Sequence, residues 1–292
     1  MEPQYDRTAE DLGNVVALEH VNVFIPDQQI ATLFYVTGLG LTRDPYLMTS
    51  TDNMWINVGR SQFHMPSGEA QVLRGRVGVV LPDREALLER LARVRQPLAD
   101  TRFDVREHNS FVDVTSPWGN RIRCHVPEPR FGRITLGIPY VEFDVGPGTA
   151  AGIARFYREM LDTAAETGDD EHGSHARVSV GAKQDLIFRE TDRPLAAYDG
   201  HHIQIYIADF SGPHRRLRER GLVTEESDQH QYRFQDIVDL DTGKPLFTVE
   251  HEIRSMRHPL YARPLVNRDP AQSNRGYAQG RDAWAWSLPH DA

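Results

Sequence analysis

The sequence predicts an α+β protein in which a β-α-β-β-β unit occurs four times. Three observations carry this reading. A strand, a Pro/Gly/Asp turn and an amphipathic helix follow one another from Leu18, and the pattern recurs from Arg76, Ile138 and His202. Several short strand-like runs follow each of these starts, among them "MWINVG", "SQFHMP", "SFVDVTS", "RIRCHV", "ARVSVG", "DLIFRE", "YRFQDIVD" and "LFTVEHEI". The four opening strands also share one parity, with an apolar face opposite a polar one.

The first opening strand sets Val21, Val23 and Ile25 against His20 and Asn22, before a helix that carries Phe34-Tyr35. The second sets Val77, Val79 and Leu81 against Arg76, then runs through Asp83 into a leucine-spaced helix. The third places Val141, Phe143 and Val145 opposite Tyr140, Glu142 and Asp144, and its helix repeats the aromatic pair as Phe156-Tyr157. In the fourth, "GHHIQIYIAD", Ile203, Ile205 and Ile207 alternate with His202, Gln204 and Tyr206 before Asp209 and a helix. A sheet must bury its apolar side, so each helix covers that face and the polar faces line a cavity. The acidic run "TGDDEHGSHA" reads as a loop.

Composition narrows the function classes. The 292 residues carry a formal net charge of −9, which offers no basic stripe for nucleic acid or an anionic membrane. Apolar runs fall short of membrane-spanning length, and the polar N-terminus lacks a signal-peptide core. One cysteine, Cys124, rules out an internal disulfide and a thiolate zinc cluster. The expected setting is cytoplasmic, with a small-molecule substrate and room for a homodimer. Gly-rich phosphate motifs are missing, so no nucleotide cofactor is expected.

From about residue 17 to 253, the fourfold repeat resembles the vicinal oxygen chelate superfamily of glyoxalases, bleomycin-resistance proteins and extradiol dioxygenases. The resemblance implies pairs of modules forming cupped, mostly antiparallel sheet domains with helices on the outer faces. Metal ligands are then expected on the first and last strand of each module. With consecutive modules paired, the expected parts are an N-terminal arm (1–16), a first domain (17–127), a second domain (136–254) and an extended C-terminal arm (255–292).

Carried over by position, the resemblance puts His20, Gln62 and His64 in the first cup, with Arg76 and Arg123 where further ligands would sit. Guanidinium groups repel a cation, so that cup is expected to be metal-poor, either vestigial or a pocket for an anionic or polar ligand. The second cup is expected to hold the metal, on His202 and Glu250, with Tyr140 nearby. Arg233 joins Tyr140 as a catalytic candidate. Gln204, Gln235 and Glu142 join the first-cup residues as substrate-binding candidates. A full two-histidine, one-carboxylate set would favour Fe(II), with Mn(II) or Zn(II) as alternatives, but on this placement it requires His201 or His251 to turn inward. Each histidine taken alone is equally accounted for by a structural role.

The expected function is therefore that of a metal-dependent enzyme on a small oxygenated or aromatic substrate, with dioxygenase-like chemistry ahead of a glyoxalase-like lyase or isomerase. A metal-free binding or resistance protein of the same fold is the alternative. A purely structural protein fits less well, because both cups keep polar faces.

Overall fold

The computed structural model describes residues 5–47 and 52–276. The first module comprises β1 (Val15–Asn22), α1 (Gln28–Ala31, continued by a π-helical segment Thr32–Gly38), β2 (Thr42–Arg43), β3 (Asn53–Val58) and β4 (Ser61–Pro66). The second comprises β5 (Gly75–Val80), α2 (Arg84–Val94), β6 (Asp104–Glu107), β7 (Phe111–Thr115) and β8 (Arg121–His125). The third runs through β9 (Gly137–Val145), α3 (Ala150–Leu161), β10 (Ala165–Asp170), β11 (Gly173–Gly181) and β12 (Gln184–Glu190). The fourth has β13 (His202–Ile207), α4 (Ser211–Glu219), β14 (Val223–Asp228), β15 (Gln231–Val238) and β16 (Pro245–Ser255).

Turn chemistry sets where the helices begin. Asp27 accepts hydrogen bonds from the backbone N–H groups of Gln29 and Ile30, and Asp83 from that of Ala86. In α3 the apolar residues Ile153, Phe156, Tyr157, Met160 and Leu161 recur at helical spacing, and all are buried. Burying each large apolar side chain contributes roughly 2 kcal/mol, so this one stripe holds the helix to its sheet. No helix among the described residues is long and apolar enough to cross a membrane.

The modules pair differently from the expected order. One eight-stranded sheet runs β14-β15-β16-β13-β1-β4-β3-β2, so the fourth module joins the first. The other runs β10-β11-β12-β9-β5-β8-β7-β6 and joins the second module to the third. Parity could not reveal this, because every opening strand has the same free edge and the same two faces. The break near residues 127–136 therefore separates neighbouring modules of one sheet, and neither 17–127 nor 136–254 contains a complete sheet.

One further expectation changes. The acidic run forms the hairpin β10–β11, with Gly168 opposite His175, because an edge strand tolerates a charged, solvated flank. The described part of the C-terminal arm packs on its own chain. Asn57 donates to the Val266 carbonyl (2.8 Å), Asn267 bonds the backbone of Gly59 in both directions, and Arg263 reaches buried Asp44 (2.6 Å). The remainder of the arm, with Trp284 and Trp286, lies outside the described residues.

Candidate metal centre

Strand register brings the candidate ligands together. Strands β1 and β13 run antiparallel, with His20 opposite Gln204 and Asn22 opposite His202. A local two-fold axis through the Val21–Ile203 pair therefore exchanges His20 with His202, and Asn22 with Gln204. The flanking strands extend the symmetry, since Asn22 lies beside His64 on β4 and Gln204 beside Glu252 on β16. Four equivalent positions thus face one cup, occupied by His20, His202, His64 and Glu252.

The three imidazoles each offer a ring nitrogen, and these atoms lie within 4.8 Å of one another. Their second nitrogens decide the tautomers. Nδ1 of His20 donates to Glu19 Oε2 (3.3 Å), and Nε2 of His64 donates to Asn53 Oδ1 (2.8 Å), because both partners only accept. This leaves lone pairs on Nε2 of His20 and Nδ1 of His64, both buried and without a hydrogen-bond partner. Nε2 of His202 is likewise buried and unpartnered by a hydrogen bond. Trp55 stacks on His64 with ring centres 3.7 Å apart and meets His20 edge-on at 5.1 Å, fixing both rings. A β-bulge between Leu18 and His20 lets Glu19 support its own neighbour.

The electrostatics keep the His20 and His64 rings neutral. Burial pushes the His20 pKa well below its usual value, and burial with the adjacent His20 and His202 rings takes His64 down to about 2. Burial alone would raise Glu252. The His202 ring, His20 and Arg254 overcome it and hold the carboxyl well below the usual carboxylate range. Glu252 Oε2 lies 3.5 Å from His202 Nε2 and accepts from Arg233 (2.7 Å), while Oε1 pairs with Arg254 (2.6 Å). Neutral imidazoles beside an ionised carboxylate are the protonation states that a divalent cation requires.

The other expected residues divide between the sheets. Glu250 shares this cup, 3.5 Å from His202 Nδ1, and is held by Arg233 (2.5 Å) and Gln235 (3.1 Å). Gln204 is fully buried with both amide atoms unpartnered, as are those of Asn22. Gln62 donates to Asp44 and Asn57, which draws it aside from the imidazoles. Neither His201 nor His251 turns inward. His201 bonds Asp199 (2.6 Å), and His251 bonds Tyr157 Oη (2.6 Å) on the helix side of the sheet.

Tyr140, Glu142, Arg76 and Arg123 belong to the other sheet, so Tyr140 is not a neighbour of His202. There a two-fold through the Val77–Val141 pair exchanges Arg76 with Tyr140. The flanking positions beside Gly78 and Glu142 are Arg123 and Ile187. The four places that hold three histidines and a glutamate in one cup hold two arginines, a tyrosine and an isoleucine in the other. That set does not bind a cation. Sequence reading missed the convergence of His20 and His64 with His202, as well as the role of Glu252. Glu252 has the same parity as Glu250, so only the register of β16 on β13 separates them.

Comparison of the sequence with protein-family models and with curated proteins finds no match. Solved structures do match. The chain is similar to a Bacillus subtilis protein provisionally named a dioxygenase, at 16% identity over 85% of this chain and 87% of that one, with a TM-score of 0.56. It is also similar to glyoxalase I from Zea mays, at 10% identity over 82% of this chain and 92% of that one, with a TM-score of 0.54. These likenesses are of fold, two sheets of paired modules within one chain, and agree with the resemblance to the vicinal oxygen chelate superfamily drawn from the sequence.

Proposed function

We propose that the protein is a metal-dependent enzyme acting on a small oxygenated or aromatic substrate, with dioxygenase-like chemistry, in the cup shared by the first and fourth modules. The observation that carries this reading is the set of three imidazoles, from two modules, each with a buried ring nitrogen that makes no hydrogen bond and together within 4.8 Å. Unpaired polar atoms are costly to bury, so such a set calls for a shared partner. His20, His64 and His202 would hold a divalent ion, with Glu252 at the fourth position; imidazole and carboxylate together suit Fe(II), Mn(II) or Zn(II). When bound, the ion would act as a Lewis acid that gathers substrate oxygens.

The chain's own residues divide the remaining work. Glu19 and Asn53 hold the His20 and His64 tautomers. Asn22 and Gln204 each offer a donor and an acceptor beside the ligands, which suits a substrate carrying hydroxyl and carbonyl oxygens. Arg233 locks Glu250 and Glu252 in place. The same pairing gives a second reading some support, because carboxylates satisfied by arginines need no metal; on that reading the cup binds a small molecule without turnover.

Oxygen uptake separates these readings. Protein reconstituted with Fe(II) should consume dioxygen in the presence of one or more members of a catechol panel, and His202→Ala should abolish that uptake. Binding of catechols without uptake, equal with and without metal, would favour the sequestering protein. Conversion of a hemithioacetal instead would favour a lyase or isomerase.

A further inference from the structure

A cavity of about 730 Å³ lies in the other cup, formed by the second and third modules. We propose that this cup is a second, metal-free binding site for a planar aromatic molecule bearing an anionic oxygen, of the benzoate or phenolate class. Its inner end is aromatic. The His125 ring lies 5.0 Å from Phe131, 5.8 Å from Tyr140 and 6.0 Å from Phe111, which leaves ring faces and edges for a flat ligand.

The hydrogen bonds there run in one direction. Arg130 can only donate, so Nδ1 of His125 accepts from it (3.2 Å). The proton of the neutral ring is then on Nε2 and is donated to Tyr140 Oη (2.9 Å). Tyr140 therefore keeps its own O–H to give to a ligand. Burial and the nearby Arg130 and Arg123 hold His125 down to about 4, which keeps this relay in place at neutral pH. Gly78 completes the arrangement, since a Cβ there would come within 2.4 Å of the Tyr140 ring. Three of the ion pairs around this cup are already matched, with Glu142 on Arg76 (2.9 Å), Asp185 on Arg177 (2.9 Å) and Arg123 on Asp113 (2.8 Å). Lys183, at the rim, makes no ion pair among the described residues and is placed to meet the ligand's charge.

Calorimetric titration of 4-hydroxybenzoate into full-length, metal-stripped protein tests the assignment, with cyclohexanecarboxylate as the non-aromatic control. One site is expected, weaker for the control. Tyr140→Phe should lower affinity about tenfold by removing a hydrogen bond to a charged group. Lys183→Gln, on an exposed turn, should lower affinity without affecting folding, and His20→Ala should leave binding unchanged. Failure to bind at millimolar probe, equal affinity in Tyr140→Phe and Lys183→Gln, or loss of binding in His20→Ala would each overturn the proposal. None of these results depends on the metal reading of the other cup.

Discussion

A neutral imidazole can hold a ligand only if its other nitrogen has somewhere to put its proton. Glu19 and Asn53 provide that place for His20 and His64, and their removal should loosen a metal while leaving the ligands present. Asn53→Ala is expected to weaken metal affinity about 10-fold or more, read by competition with a chelator; unchanged affinity would deny the supporting role. A different histidine reports on acid stability. His125 has a folded pKa lowered to about 4, so its neutral form stabilises the fold above its unfolded value near 6.5. That contribution is lost as pH falls from about 6.5 toward 4, because the unfolded chain takes up the proton first. The urea midpoint should drop over that window, and His125→Gln should flatten the drop. The sequence already marked His20, His64 and His202 as inward-facing, since alternation is a local property. Their common destination was hidden, because it depends on which strand edges meet.

Among the elements, the strap of residues 256–276 contributes most beyond the modules. Asp44 is fully buried and accepts from Tyr46 N, Leu47 N, Gln62 and Arg263, so the strap supplies its only cationic partner among the described residues. Arg263→Ala should cost about 3 kcal/mol, since removing one member of a buried pair strands the other charge. Thermal and urea unfolding would show the loss; a stability change near zero would mean that water replaces the guanidinium. The β3–β4 turn gives a second test. Gly59 has φ +66°, and a Cβ there would come within 1.9 Å of the Leu136 carbonyl oxygen in the link between the second and third modules. Gly59→Ala should therefore separate the turn from that link and lower Tm sharply, well beyond the usual cost of a left-handed alanine. The opening strands, helix starts and most closing strands were readable from period and turn residues. The acidic hairpin β10–β11 was not, because an edge strand's charged flank has the composition of a loop.

For the whole molecule, the decisive feature is that the chain closes on itself, with its first module against its fourth and its second against its third. Each half of the sequence therefore supplies half of both sheets. A fragment ending near residue 131 should not fold as an independent monomer, and co-expression of residues 1–131 with 132–292 should restore a complex with both cups. Two halves that each folded and bound metal alone would imply consecutive pairing. The repeat was legible because each module carries its own pattern; the closure was not, because every opening strand presents an equivalent edge. The central claim is that His20 and His64 from one end of the chain share a metal with His202 from the other. It is tested most directly by metal stoichiometry of tag-free protein after reconstitution with Fe(II), Mn(II) or Zn(II). One equivalent per chain is expected, lost in both His20→Ala and His202→Ala and retained in Tyr140→Phe. Retention of the metal in His20→Ala with loss in Tyr140→Phe, or no metal bound at all, would contradict it.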